Sequence, residues 1–256
     1  MTETRQDIFR LSEDLYRLVQ TDSNGTFVDA YLIVGSESAL VIDLQRAEGC
    51  LLETVRQITD KPFSVVITHA HYDHLGANTA AFVKEGIPIW MFREEYDLCR
   101  EQIDAAFGCS AEDRFLWLHE GQNFDLGGYI LEIGSLTGHT PRGAMLLERS
   151  RGWLFSGDAF GNKSFFMHIP TSTGLDRLAA DLKRFLPTVR DIPQLQIFTG
   201  HGIAETFYGI EWAEAIATLT DEILNGIVQG YPSTTRFGDC LRVDTELYPD
   251  GYLYKQ

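Results

Sequence analysis

The sequence predicts an α/β fold, with helices covering both outer faces of paired sheets in a four-layer sandwich. Three observations predict it. Strand-like and helix-like stretches alternate along the chain. "FSVVITH" (Phe63 to His69) is a continuous apolar run rich in β-branched residues, as expected of a strand buried on both faces. No internal repeat or low-complexity linker breaks the 256 residues, so residues 1–256 are expected to form a single domain.

The first strands expected are "DAYLIVG" (Asp29 to Gly35) and "SALVID" (Ser38 to Asp43), joined by a Gly-Ser turn as a hairpin. A helix over about 48–59 precedes "FSVVITH". A second helix is expected from near Leu75 to before Gly86, then the strand "IPIWMF" (Ile87 to Phe92). Residues 93–120 read as helical and amphipathic, which makes that segment a candidate homodimer contact. Three strands follow: "YILEIGSL" (Tyr129 to Leu136), "AMLLER" (Ala144 to Arg149) and "GWLFSG" (Gly152 to Gly157). A helix over 174–186 leads to the strand "LQIFTGH" (Leu195 to His201), and a long helix is expected over 203–228. "DCLRVD" and "GYLYK" in the tail suggest a closing hairpin packed back on the sheet.

Composition narrows the function. Hydrophobic residues make up 44% and charged residues 23%, ordinary for a soluble globular protein. No stretch approaches the ~18–20 apolar residues that span a bilayer, so no membrane partner is expected. The opening "MTETRQDIFRLSEDLYRLV" lacks an apolar core behind a basic start, and the expected compartment is the cytoplasm. A net charge of −16 repels a phosphate backbone and argues against a nucleic-acid partner. The four cysteines, Cys50, Cys99, Cys109 and Cys240, form no CxxC pair and read as reduced and structural.

The chemistry concentrates in "THAHYDHLGAN" (Thr68 to Asn78), which holds three of the chain's seven histidines. His69, His71, Asp73 and His74 follow a strand directly. Side chains alternate along a strand, so an extended stretch cannot present all four on one side. A turn into a helix can. His69 and His71 would point together, and Asp73 and His74 would swing across as the turn closes. Imidazole and carboxylate groups in that pattern suit zinc, iron or manganese. One loop supplies half of what two ions need. Three further residues stand just beyond predicted strands, each directly after a glycine: His139 in "TGHTPRG", Asp158 in "FSGDAF" and His201 in "FTGHG". A lone histidine after a strand is ordinarily a surface residue, and the HxHxDH cluster is what changes that reading.

HxHxDH, then GHT, GD and GH in that order resemble the metallo-β-lactamase fold superfamily. "VIDLQ" resembles its upstream segment of two hydrophobic residues and an aspartate, with Asp43 in the matching place. The resemblance covers about residues 14–205. It implies an αββα sandwich of two mixed sheets with two divalent ions at one edge, zinc first and iron or manganese as alternatives. It implies that His69, His71 and His139 hold one ion, that Asp73, His74 and His201 hold the other, and that Asp158 bridges them. It also implies a hydrolase in which two ions activate water, with Asp73 orienting that water or taking its proton. Asp43 is expected behind a ligand histidine.

Family branches differ in substrate. An aspartate rather than a cysteine at position 158 resembles the glyoxalase II, lactonase, arylsulfatase, nuclease and flavodiiron branches. "GHTPRG" closely matches a "GHTPG"-like segment of glyoxalase II, while the 55 residues after His201 show no basic cluster to hold a glutathione carboxylate. Where lactonases resemble a pattern with tyrosine three residues after the bridging aspartate, this chain has Gly161. The expected substrate is a small ester, thioester or lactone, with a phosphodiester or β-lactam as the alternative. Phe160, Phe165, Phe166, Met167 and His168, which follow Asp158, are expected to wall an acyl pocket.

Overall fold

The computed structural model describes residues 5–21, 27–46, 50–107, 110–202 and 208–255. Its strands are β1 (Arg5–Arg10), β2 (Leu15–Thr21), β3 (Phe27–Val34), β4 (Ala39–Ile42), β5 (Phe63–Val66), β6 (Ile89–Met91), β7 (Leu116–Trp117) and β8 (Asn123–Asp125). They continue with β9 (Ile130–Leu136), β10 (Gly143–Glu148), β11 (Trp153–Gly157), β12 (Phe165–Met167), β13 (Gln196–Thr199), β14 (Tyr231–Thr235), β15 (Gly238–Val243) and β16 (Tyr252–Tyr254). The helices are α1 (Leu51–Ile58), α2 (Tyr72–Leu75), α3 (Thr79–Lys84), α4 (Arg93–Phe107), α5 (Leu175–Val189) and α6 (Ile210–Leu224).

The strands form a seven-stranded sheet ordered β1 to β7, a five-stranded sheet ordered β13-β11-β10-β9-β8, and a four-stranded sheet ordered β12-β16-β15-β14. In the first, β1 to β4 run antiparallel and β4 to β7 parallel. The chain divides into two compact units, residues 1–133 and 134–256, with the boundary inside β9.

In the first unit, α1, α3 and α4 cover one face of the seven-stranded sheet. Leu51, Val55, Phe82 and Tyr96 from these helices share a core with Leu32, Val41, Val65 and Ile89. The opposite face is buried too: Ile33, Leu40 and Val66 are on it, and all four residues of β4 are inaccessible. Two-sided burial explains why β4 and the Val65–Val66 end of β5 read as apolar. In the second unit, α5 presents Leu178, Leu182, Phe185 and Val189 at helical spacing, and α6 presents Trp212, Ile216 and Leu219. Both pack with Leu154, Ile197 and the aromatic residues Tyr248 and Tyr252. The expected α/β class stands.

Several elements differ from the sequence expectations. β1 and β2 lie over residues 5–21, where no strand was expected: β1 is an edge strand whose charges mask its period, and in β2 the buried Arg17 and Gln20 interrupt the apolar run. The expected helix from Leu75 is two short ones, α2 and α3, because Gly76 breaks it. A methyl at position 76 would collide with the carbonyl oxygens of Gln45 and Arg46. The 93–120 segment is helical only to Phe107, then makes a short 3-10 turn and joins the sheet as β7. Its apolar residues Tyr96, Ile103, Ala111 and Phe115 are spent on the first unit's own core, which accounts for the amphipathic pattern. The tail hairpin belongs to a sheet of its own with β12 and β14. Positions 48–49 and 203–207 of the expected helices, and Cys109, lie outside the described residues. No helix among the described residues is long and apolar enough to cross a membrane.

Phe82 is fully buried and meets Phe63 edge to face at 6.2 Å. Phe82→Ala should lower unfolding free energy by about 3–5 kcal/mol in a denaturant titration. A loss below about 1 kcal/mol would mean that α3 is not packed as described.

Candidate metal centre

In the first unit, β4 and β5 pair in parallel with Ile42 opposite Val66, so their C-terminal ends lie side by side. Asp43 follows β4 directly. Its amide donates to the Val66 carbonyl at 3.0 Å, and its backbone has a left-handed φ of 63°. That conformation costs a non-glycine residue about 1–2 kcal/mol. Three hydrogen bonds to its carboxylate offset the cost. The Thr68 amide donates to Oδ1 at 2.7 Å, the Thr68 hydroxyl to Oδ2 at 2.7 Å, and His74 Nδ1 to Oδ2 at 2.8 Å. Hydrogen bonds to a charged group are worth about 1.5–3 kcal/mol each, so the balance favours the strained backbone.

These bonds set tautomers. His74 Nδ1 must carry the hydrogen it gives to Asp43. The Thr68 hydroxyl hydrogen is committed to Asp43, so its oxygen accepts from His69 Nδ1 at 3.1 Å. Both imidazoles therefore present a lone pair at Nε2. The His69 ring stands 4.6 Å from that of His71 and 4.0 Å from that of His74, centre to centre. Ligand atoms of His69 and His71, of His69 and His74, and of Asp73 and His74 lie within 4.8 Å of each other. The expected turn is present: His71 caps α2, and its carbonyl accepts from the amides of His74 and Leu75 at 2.9 Å. Glu95 at the start of α4 is fully buried and takes the Ala70 amide at 3.0 Å, which fixes the backbone between the two ligand-type histidines.

In the second unit, β11 and β13 run parallel and deliver Asp158 and His201 from adjacent ends. The register skips between Phe155 and Gly157, so Ser156 sits in a bulge, which re-aims the chain entering Asp158. Gly157 turns there with φ of 50°. Asp158 Oδ2 stands 3.6 Å from His139 Nε2 and 3.3 Å from His201 Nε2. His139 Nδ1 donates to the Phe166 carbonyl at 2.9 Å, again leaving Nε2 with its lone pair. Ser172 holds the His139 loop from behind by donating to the carbonyls of His139 (3.3 Å) and Phe166 (3.2 Å), and Asn162 donates to the His201 carbonyl at 2.6 Å.

All seven ligand candidates thus stand in the two loop sets that the sequence indicated. The acyl-wall residues fare differently. Phe160 and Phe165 are fully buried and Met167 nearly so, all three within the second unit's core. β12 alternates, so Phe165 faces the core and Phe166 faces out half-buried, while Met167, nearly buried, lines a cavity of the second unit with Ile169, Leu241 and Tyr254. His168 is buried, with Nε2 2.6 Å from the Thr235 hydroxyl, and desolvation holds its imidazole below the usual histidine range. The supporting residues Glu95, Ser172 and Asn162 carried no sequence signal, because they are distant in sequence from what they hold. Thr68, adjacent to His69, stood inside the motif and could have been read.

Among curated proteins, the chain is 29% identical over 129 residues to the hydroxyacylglutathione hydrolase GloC of Haemophilus influenzae, covering 48% of this chain and 61% of that protein. It is 27% identical over 199 residues to an uncharacterized protein of Aquifex aeolicus, covering 75% and 90%. Among solved structures, a metallo-beta-lactamase from Pontibacter korlensis superposes with a TM-score of 0.68 at 18% identity, covering 85% of this chain and 99% of that one. The DIM-1 metallo-beta-lactamase gives 0.67 at 14%, covering 86% and 100%. At such identities these structures share the fold. The family model described as metallo-beta-lactamase superfamily matches residues 23–201, a span containing every ligand candidate, and the chain belongs to that superfamily.

Proposed function

We propose that this metal-dependent hydrolase of the metallo-beta-lactamase superfamily cleaves a small ester, thioester or lactone with two divalent ions, zinc first. The observation that carries the reading is the donor set. His69, His74 and His139 each have Nδ1 committed to a fixed acceptor, so each offers Nε2 to a cation. Nitrogen and carboxylate donors in this ratio fit zinc, iron or manganese. The match of residues 23–201 to the superfamily supports the pairing of the two loop sets, and within each unit the donors stand close: His69 within 4.8 Å of His71 and of His74, and Asp158 Oδ2 at 3.6 Å from His139 Nε2 and 3.3 Å from His201 Nε2. In this reading His69, His71 and His139 hold one ion, Asp73, His74 and His201 the other, and Asp158 both.

When bound, such ions acidify water and polarise a carbonyl. The chain's own groups do the rest. Asp73 offers a carboxylate oxygen to orient the attacking water and take its proton. Asp43 keeps His74 and, through Thr68, His69 in the ligand tautomer. Phe166, half-buried on the outward side of β12, marks the side on which we place the acyl group. The acyl assignment is supported by the Haemophilus relative, named for a hydroxyacylglutathione, and by the net charge of −16, which disfavours a nucleic acid. We place the reaction in the cytoplasm, on a small molecule and within a single domain over 1–256.

Purified protein loaded with zinc, iron or manganese should hydrolyse a thioester or lactone, and a chelator should abolish the turnover. Turnover of a phosphodiester or β-lactam alone would overturn the acyl reading. Asp158→Ala should lower kcat by about 10²–10³-fold, because several kcal/mol of charge stabilisation is lost. Asp43→Ala should weaken metal affinity by about 10–100-fold in a chelator competition. An unchanged affinity would remove Asp43 from the site.

A further inference from the structure

The loop that carries Asp43 is strained twice. Gln45, two residues on, also has a left-handed φ of 63°, a conformation that favours glycine. Nothing in its immediate sequence relieves this. Its side chain does. Gln45 is fully buried, and its Nε2 donates to the Leu18 carbonyl at 2.6 Å and the Val28 carbonyl at 3.2 Å. These carbonyls belong to β2 and β3, paired antiparallel strands in the same sheet. The amide therefore ties a strained loop to the most regular part of the first unit.

What the loop does next gives the tie its consequence. The Leu44 amide donates to the His74 carbonyl at 2.8 Å, and the Leu44 carbonyl accepts from Asn78 Nδ2 at 2.8 Å. The Ala77 amide donates to the Arg46 carbonyl at 3.1 Å. Gly76 lets the two backbones approach so closely that no side chain would fit between them. Residues 43–46 are thus zipped to residues 74–78, with Asp43 at one end holding His74 Nδ1. Displacing the loop would move the carboxylate and the His74 backbone together.

We propose that Gln45 is a positioning residue: its buried carboxamide, anchored on the Leu18 and Val28 carbonyls, holds the strained 43–46 loop so that Asp43 keeps His74 in its ligand tautomer. The inference rests on the metal reading given above only for its effect on metal affinity. A glycine at 45 would suit the backbone and lose the anchor, so two roles separate cleanly. If the position matters only for its φ, Gln45→Gly is harmless. If the anchor matters, Gln45→Gly harms the site.

The test uses Gln45→Gly and Gln45→Met, the latter keeping side-chain bulk without the amide. Two readouts apply to each. The first is the downfield proton resonance of His74 Nδ1–H in metal-free protein, assigned by its loss in Asp43→Ala. The second is zinc affinity by chelator competition, with thermal unfolding as a fold control. The expected result is loss or broadening of that resonance in both variants and affinity reduced about 10–100-fold, with cooperative unfolding retained. A wild-type resonance and wild-type affinity in either folded variant would overturn the proposal. If wild-type protein bound no zinc, the metal reading would fail, and the resonance alone would still decide the role of Gln45.

Discussion

The carboxylate of Asp43 is the hub on which the first half of the site depends. One group accepts from a backbone amide, a hydroxyl and an imidazole at 2.7–2.8 Å. Each bond has a separate effect. The amide fixes where the chain leaves β5. The hydroxyl passes the same polarity on to His69. The imidazole is set to one tautomer. A neutral amide in its place would offer a single acceptor oxygen and could not serve all three donors. Charge and geometry both require aspartate there, two bonds from its backbone and unable to reach further.

Regular structure brings the ligand loops to the site, and irregular structure aims them. Parallel pairing of β4 with β5 and of β11 with β13 puts the loop ends side by side. That is the general reason why α/β sheets bind ligands beyond their strand C-termini. Deviations within these loops then set direction. Asp43 and Gln45 are left-handed, Ser156 sits in a bulge, and Gly157 turns with positive φ. Strain of this kind persists only where the surroundings over-determine it. Here buried hydrogen bonds from Thr68, His74 and Gln45 do so.

Legibility in the sequence followed range. The α/β class could be read because β4 is buried and apolar throughout, and β10 and β11 are buried and mostly apolar. The HxHxDH candidates stood out because rare residue types crowd at short spacing, and His139, Asp158 and His201 because each directly follows a glycine just beyond a strand. β1 and β2 could not, since charged residues interrupt their pattern. Gln45, Glu95 and Asn162 could not either. Each acts on atoms far away in sequence, and nothing about a single glutamine or glutamate tells where its side chain ends. The residues after Asp158 divide in a way that local position could not show: Phe160 and Phe165 go to the core, Phe166 stays half outside, and Met167 reaches a cavity of the second unit.

The central claim is that the two loop sets hold a pair of ions shared by Asp158. Crystals of zinc-loaded protein, measured with anomalous diffraction at the zinc edge, test it directly. Two peaks are expected about 3.5–4 Å apart with the Asp158 carboxylate between them, one beside His69, His71 and His139 and the other beside Asp73, His74 and His201. No peak among these residues, or ions that leave Asp158 untouched, would contradict it.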